Sequence, residues 1–371
     1  MNRHTKAIRG LGIGASLALL VGCSGVAKAP TAVSTASPGS STPAPRASVA
    51  TPTESPIAIA TASHAPLSGQ IVFFDFPDSG YSQIYVEAGD GTNVRKVLSS
   101  TFDDRNPSLS PDGRRVAFTR YLPDGAPPTG GVMVVNLDGT GLKQLDPDGE
   151  DVAWSPDGKR LVDTHALFDA DTSKGPYNVA LWIMDADGTH RHQITLVGKQ
   201  CRNTCAGGEQ HNEGVWSPDG KRIAFKRDLY TSPEQFSVYT VATDGTDLHR
   251  VTPEGMDVGD PAWSPDGTQI AFQSPPEANS GGDENTFTIR PDGSGIRQLT
   301  THLTSQPDGK QGTFHPSWSP DGQHVLFSHD PGTTSPSADI FVMNADGTDV
   351  HVLAGTALNE NWANWGVVAP S

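Results

Sequence analysis

A short turn sequence, Ser-Pro-Asp-Gly, returns five times along this chain of 371 residues. The five copies begin at Ser110, Ser155, Ser217, Ser264 and Ser319. A second turn, Asp-Gly, occurs six times between short apolar runs, with its glycine at Gly91, Gly139, Gly188, Gly245, Gly293 and Gly347. A period near 45 to 60 residues with four short apolar runs in each unit is typical of β-propeller blades.

The chemistry of both turns is structural. Pro fixes φ at the first corner, the Asp side chain caps the turn, and Gly takes the left-handed position. Asp-Gly between apolar runs is a strong hairpin signal. A Trp precedes four of the five Ser-Pro-Asp-Gly turns, and we predict that this bulky side chain is a wedge between neighbouring blades.

The two ends of the repeat predict how the ring closes. There are six Asp-Gly turns but only five Ser-Pro-Asp-Gly turns, so one unit lacks its first strand. The stretch 364–368 resembles that missing strand, and Gln70–Asp75 resembles the strand that should follow it. We therefore predict an all-β fold, a six-bladed β-propeller over residues 67–371. Its ring is closed by N- and C-terminal strands, which leaves no free sheet edge at the seam.

Two longer phrases resemble a known family. WSPDGKRIAF at 216–225 and FVMNADGTDVHVL at 341–353 resemble the TolB-like, or PD40 (WD40-like), propellers of bacterial envelopes. The resemblance implies the propeller fold over 67–371. TolB carries a further domain before its propeller, where this chain has a Pro/Ser/Thr-rich stretch, and some relatives add a peptidase domain. No Gly-x-Ser-x-Gly nucleophile elbow occurs in 67–371. Neither the role of TolB nor a peptidase activity is therefore carried over.

The first 66 residues predict a targeting signal followed by a linker. Residues 1–22 combine three cations with an apolar run of residues 11–21, too short to span a bilayer. The run ends in Leu-Val-Gly-Cys23, which resembles a lipobox, so we predict a lipoprotein signal peptide and a lipidated Cys23. An ordinary secretory signal is the alternative. Of residues 24–66, 32 of 43 are Ala, Ser, Pro or Thr. Such a composition predicts a disordered, extended linker over 23–66. The predicted location is extracytoplasmic, lipid-anchored to a bacterial membrane.

The net charge limits which classes of binding partner are expected. At −16, the chain lacks the basic footprint that phosphate backbones require, so nucleic acid is not an expected partner. We expect a monomer whose partner is an envelope protein, a peptide or a cell-wall glycan.

One set of residues is predicted to surround the channel mouth. The residue just before each innermost strand should point toward this mouth, and four polar or charged residues lie nearby. The predicted ring is Asn106, Asp151, Glu213, Asp260, His315 and Trp362, with Asp104, Arg105, His211 and Asn361 nearby. Carboxylates and imidazoles that converge in this way can bind Ca²⁺, Mn²⁺ or Zn²⁺, and the five candidate ligands are Asp151, His211, Glu213, Asp260 and His315. The alternative is that the Asp and Asn residues only cap turns.

Cys201 and Cys205 lie in an insertion on the predicted binding face. Outside the cytoplasm two close cysteines usually form a disulfide, which would stiffen this loop. The alternative is a metal site of these two cysteines with Glu209 and His211.

Two classes of function follow. The first is a propeller that binds a protein, a peptide or a glycan without catalysis and without a cofactor. The second is a metal-dependent lyase or hydrolase that acts on an extracellular saccharide or ester at the channel mouth. The absence of a recognisable nucleophile and base in the sequence favours the first.

Overall fold

The computed structural model describes residues 67–75, 77, 80–122, 130–167, 178–196, 209–229, 235–275, 284–301, 312–330, 338–353 and 358–366. The predicted signal peptide, the linker with Cys23, and the pair Cys201 and Cys205 lie outside the described residues.

Within the described residues the chain forms 24 β-strands and no helix. None of the described residues therefore belongs to a helix that could cross a membrane. The strands are β1 (Gln70–Asp75), β2 (Gln83–Ala88), β3 (Arg95–Lys96), β4 (Asp103–Leu109), β5 (Arg115–Tyr121), β6 (Gly131–Asn136), β7 (Lys143–Asp146), β8 (Gly149–Trp154), β9 (Arg160–Leu167), β10 (Asn178–Asp185), β11 (His192–Gln193), β12 (Glu209–Trp216), β13 (Arg222–Leu229), β14 (Gln235–Ala242), β15 (His249–Arg250), β16 (Gly259–Trp263), β17 (Ile270–Ser274), β18 (Asn285–Ile289), β19 (Arg297–Gln298), β20 (Gly312–Trp318), β21 (His324–Asp330), β22 (Asp339–Asn344), β23 (His351–Val352) and β24 (Glu360–Gly366).

The strands pair as antiparallel meanders, that is, as series of four strands in which each pairs with the next. Four sheets are single meanders, β24-β1-β2-β3, β4 to β7, β16 to β19 and β20 to β23. The fifth sheet has eight strands and contains two meanders, β8 to β11 and β12 to β15, joined by one parallel bridge between Val179 and Gln210. The first strands contact one another in the order β4, β8, β12, β16, β20, β24, and β24 contacts β4 again. The predicted all-β propeller is confirmed.

Strands from both ends of the chain form the seam. β24 pairs antiparallel with β1, with Trp365 opposite Ile71 and Asn364 opposite Val72. The Trp365 indole N–H donates to the carbonyl of Ser68 at 2.9 Å, and the side chain of Asn364 accepts from the N–H of Leu109 at 3.0 Å. The prediction that terminal strands meet in one sheet is confirmed.

The repeated turns have the expected chemistry. In the first Ser-Pro-Asp-Gly turn, the Ser110 hydroxyl donates to Asp112 Oδ1 at 2.5 Å and accepts the N–H of Arg115 at 2.9 Å. Gly113 has a φ of 64°, which Gly adopts without strain. The same Ser-to-Asp hydrogen bond recurs in the other four turns. The Asp side chain therefore caps the turn, as predicted.

The Trp residues pack between neighbouring meanders. Trp154 is 6% exposed and shares a hydrophobic cluster with Val132 of β6 and Leu161 of β9. The guanidinium of Arg115 lies 4.5 Å from the centre of its ring. Burial of an aromatic side chain of this size contributes about 3 kcal/mol or more to stability. The predicted wedge role is confirmed at this position.

Candidate functional site: a ring of bulged residues around a central cavity

Each of the six first strands carries a β-bulge at the same position. There, the register of its pairing with the next strand shifts. The bulged residue has a left-handed backbone, with φ between 49° and 57°, which is uncommon for residues other than Gly. We call these six residues the channel ring: Asn106, Asp151, Glu213, Asp260, His315 and Trp362. The sequence analysis placed them just before the strands. They lie inside the strands instead, because pairing resumes on both sides of each bulge.

All six members of the channel ring line one cavity at the centre of the first strands. The bulge turns one side chain per strand out of the regular alternation and into this space. The cavity has a volume of about 90 Å³. That volume holds on the order of six water molecules, or the end of one side chain. The space that the described residues enclose is therefore of the size of one side-chain end rather than of a folded domain.

Neighbouring members of the ring contact each other. The Asn106 amide donates to Asp151 Oδ1 at 2.8 Å, and the Glu213 carboxylate accepts the backbone N–H of Asp260 at 2.6 Å. Asp260 Oδ2 lies 2.7 Å from His315 Nδ1. The His315 ring lies against the Trp362 ring, with centroids 3.9 Å apart. The contacts hold the side chains in place, so the ring is pre-organised rather than free to collapse.

The ring carries more negative than positive charge. Burial raises the pKa of the Asp151 carboxyl, and it raises the pKa of Glu213 well above its usual value. For Asp260, burial also acts upward, but the neighbouring His315 outweighs it and lowers the pKa. Three carboxyl groups thus share a small space, and burial disfavours the ionised form of two of them, Asp151 and Glu213.

One cation beside the ring was not found from the sequence. The Lys226 ammonium on β13 lies 3.7 Å from Glu213 and 3.9 Å from Asp228. Burial acts to lower the pKa of Lys226, but the carboxylates of Glu213 and Asp228 outweigh it and raise the pKa. The sequence does contain a sign of this contact, because Lys226 follows the Phe of the repeat at a position where the other repeats have an uncharged residue. Its partner Glu213 could not be identified without the register of β12 against β13.

Two predicted binding residues on β4 do not line the cavity. Asp104 is fully buried and forms a bidentate ion pair with Arg120 of β5, at 2.7 and 2.9 Å. Arg105 pairs with Asp103 at 3.4 Å and lies over the Tyr121 ring. The alternation of side chains before the bulge directs them toward the neighbouring strands and meanders rather than into the channel.

His211 and Asn361 also lie outside the lining of the cavity. His211 is 1% exposed, contacts Glu209 Oε1 at 2.9 Å and packs against the Phe225 ring. The Asn361 amide donates to the backbone of Asn359 at 3.2 Å. Of the five predicted metal ligands, the cavity therefore brings together Asp151, Glu213, Asp260 and His315 but not His211.

The fold and this site define the class of the protein: a β-propeller with three carboxyl groups in the ring of six residues around its central cavity. A family model described as the TolB beta propeller domain matches residues 61–368, so the chain belongs to this family. Protein TolB homolog of Chlorobium luteolum is 31% identical over 234 residues, which is 61% of this chain and 46% of that relative. The matched part thus spans less than half of the relative's length.

Two solved structures show the same fold. TolB from Acinetobacter baumannii has a TM-score of 0.60 at 18% identity, over 81% of this chain and 67% of that one. The putative TolB from Agrobacterium tumefaciens has a TM-score of 0.53 at 20% identity, over 78% of this chain and 90% of that one.

Proposed function

We propose that this chain is a cell-envelope lipoprotein whose propeller is a non-catalytic binding scaffold. In this proposal each four-stranded meander is one blade of a six-bladed ring. The closed sequence of contacts among the six first strands supports it. The observation that carries the binding role is the channel ring, in which six strained backbone positions each direct a side chain into one cavity. Strained residues gathered at one place are characteristic of functional sites.

The proposed ligand is a protein or peptide that inserts a positively charged side chain into the cavity. Asp151, Glu213 and Asp260 supply three carboxyl groups, and the Lys226 ammonium lies 3.7 Å from Glu213. The volume of about 90 Å³ suits the end of one Lys or Arg side chain. The flat faces of His315 and Trp362 can contact its aliphatic or guanidinium part. This chemistry favours a peptide over a cell-wall glycan, which carries no such cation along its sugar backbone.

The test is binding of the full chain to an array of short synthetic peptides that differ in their content of Lys, Arg, Glu and Ser. We expect the full chain to select peptides with Lys or Arg and to bind them more tightly as the pH rises from 5 to 8. The sign follows from linkage: a cation lowers the raised pKa of Glu213, so binding releases protons and is favoured at higher pH.

The matched pair of variants is Glu213→Gln in the ring and Glu254→Gln on the surface, where Glu254 is 73% exposed. Both replace a carboxyl group by an amide of similar shape, but only the first should weaken selection of the cationic peptides, by roughly tenfold or more for one buried charge contact. Equal effects of the two variants, or a preference for acidic or neutral peptides, would contradict the proposal.

The alternative is a metal-dependent lyase or hydrolase with Ca²⁺, Mn²⁺ or Zn²⁺ among Asp151, Glu213, Asp260 and His315. It gains support from the shared cavity of these four residues. A metal, like a cationic side chain, would have to compete with Lys226 for Glu213 and with His315 for Asp260. The size of the cavity also leaves little room for a saccharide beside a metal.

The membrane anchor is tested separately at Cys23. In cells that process lipoproteins, the wild-type chain should sediment with membranes and carry a lipid on Cys23. Cys23→Ser should appear in the soluble extracytoplasmic fraction with an unchanged fold by circular dichroism. A soluble wild-type chain would refute the anchor without affecting the proposed channel.

A further inference from the structure

A buried polar cluster lies away from the channel ring, between the meander β4 to β7 and the meander β8 to β11. It consists of Asp146 at the end of β7 and of Asp163 and His165 on β9, and all three are buried. One carboxylate oxygen of each Asp and one ring nitrogen of His165 lie within 4.8 Å of one another. His165 Nε2 is 2.8 Å from Asp146 Oδ2.

The internal repeat shows that Asp163 replaces a core phenylalanine. Asp163 lies opposite Trp182 across β9 and β10. In each of the other five meanders, the same cross-strand position holds a buried Phe. These residues are Phe73 (opposite Tyr85), Phe118 (opposite Met133), Phe225 (opposite Tyr239), Phe272 (opposite Phe287) and Phe327 (opposite Phe341). An acid thus stands where the fold elsewhere buries a large apolar ring.

Two further members of the cluster also depart from the repeat. Asp146 occupies the position at which three other meanders have a Thr whose hydroxyl accepts a backbone N–H: Thr195, Thr252 and Thr300. Arg191 reaches Asp146 Oδ2 with its Nε at 2.7 Å, from a position at which the other meanders have Val94, Leu142, Leu248, Ile296 and Val350. Three polar changes that meet at one interface indicate a site rather than drift at single positions.

The carboxyl group of Asp163 is fully buried, with an exposed fraction of 0%. Among the described residues, no N–H or hydroxyl group donates to either of its oxygens, and only a shared proton would join it to the carboxyl of Asp146. The nearby Asp146 carries the same charge and adds repulsion. Arg191 and His165 both contact Asp146 Oδ2, and the positive charge of Arg191 also acts on Asp163. Burial of an unpaired carboxylate costs several kcal/mol, so this group requires a cation or a proton.

We propose that Asp146, Asp163 and His165 bind a divalent transition-metal ion, Mn²⁺ or Zn²⁺, that joins the two meanders. Two carboxylates and one imidazole are a ligand set that these ions accept. His165 would bind through Nε2 in its neutral form. Arg191 would keep its contact with Asp146 as an outer partner, since ligating carboxylates are usually hydrogen-bonded to a further group.

Gly149 leaves space beside the proposed ion. A Cβ at this position would lie close to Asp163 Oδ2 and 3.2 Å from Asp146 Oδ2. Both carboxylates therefore border the same point on β8, where any larger residue would displace them. The backbone of β8 closes this space, and the ligands on β7 and β9 border it from the other sides, so little access is left for a substrate. The proposed role of the metal is therefore structural: it joins two meanders.

The experiment uses the full chain, freed of metal with a chelator and titrated with Mn²⁺, which thiolates of Cys201 and Cys205 bind poorly. Calorimetry should show a single saturable site per chain, and bound Mn²⁺ should raise the melting temperature. Asp163→Phe introduces the residue of the other five meanders and Asp146→Thr the residue of three of them, so both variants should fold yet lose the site. Glu213→Gln, in the channel ring, should bind as the wild type does.

Each outcome decides the proposal. Loss of Mn²⁺ affinity by about tenfold or more in Asp163→Phe and Asp146→Thr, with Glu213→Gln unaffected, supports it. Should Asp163→Phe fail to fold, Asp163→Asn provides the same comparison at constant shape. No saturable binding by the wild type, or binding that Asp163→Asn and Asp146→Thr leave unchanged, overturns the proposal and assigns the cluster to a metal-free ion network around Arg191. Binding lost only in Glu213→Gln would overturn it in favour of a metal in the channel.

Discussion

The seam between β24 and β1 gives the sharpest test of how the ring is held together. Trp365 is 6% exposed, packs with Phe73 of β1 in its own sheet and with Leu326 of β21 in the neighbouring sheet, and donates its indole N–H to the carbonyl of Ser68. Trp365→Ala removes this wedge from a strand that only non-covalent contacts hold in its sheet. A substitution of this kind costs about 3–5 kcal/mol, which corresponds to a fall of roughly a hundred- to several-thousand-fold in hydrogen-exchange protection.

The matched variant is Trp318→Ala. Trp318 is also 6% exposed, and its indole donates to the carbonyl of Ala262 at 3.2 Å, but its strand β20 is continuous in the chain with β21 of the same sheet. We expect Trp365→Ala to expose the amides of β24 and β1 selectively, because β24 can detach by itself. Trp318→Ala should lower protection across the whole propeller. Hydrogen exchange followed by mass spectrometry distinguishes these patterns. Uniform loss in both variants would refute the idea that the seam opens as an independent unit.

Two further predictions concern buried charge. Arg120→Ala leaves the fully buried Asp104 without its bidentate partner and should lower the free energy of unfolding by about 3–5 kcal/mol in urea titration, whereas Arg105→Ala, which removes a partly exposed pair at 3.4 Å, should cost less than about 1 kcal/mol. Burial, with the charge of Glu360, raises the pKa of Glu87 to about 8 from 4.5, so the folded state holds this proton more strongly than the unfolded chain. The resulting stabilisation is complete below pH 4.5 and is lost as the pH rises to 8; Glu87→Gln should flatten this decline in thermal melts, and an unchanged pH profile would contradict the assignment.

The repeat made most of the fold predictable. Turn chemistry is local, so Ser110, Asp112 and Gly113 could be assigned their roles from four letters, and the structure confirms them. The closure by β24 and β1 was also predictable, because the count of the two turns differed by one. Each of these inferences depends only on residues that are adjacent in sequence or on the spacing of the repeated turns.

The channel ring was predictable in membership but not in conformation. Repeat alignment identified all six residues, yet nothing local to Glu213 or His315 indicates a left-handed backbone within a strand. His211 does not belong to the channel ring. It lies two residues before the bulged Glu213, and its side chain contacts Phe225 and Glu209 instead. A bulge changes which side chains share a face, and its presence depends on the register of pairing with the next strand rather than on the residue itself.

The bulges also explain how one fold can host a site in its centre. In a regular strand, side chains alternate between two faces, and in this ring both faces contact neighbouring meanders. No side chain of an unbroken first strand would point along the inner edge, so the channel would be lined by backbone. A left-handed residue in each strand solves this problem, at a cost of about 1–2 kcal/mol for each residue other than Gly. The backbone is the same in all six cases while the side chains are an amide, three carboxylates, an imidazole and an indole. Glycine at these positions would relieve the strain and keep the bulge, so the presence of six larger side chains is best explained by what they present to the cavity.

Substitution of Asn106 by Gly should therefore leave the free energy of unfolding nearly unchanged in urea titration, since strain relief offsets the lost hydrogen bond to Asp151. A loss above about 3 kcal/mol would show that the ring is needed for folding instead.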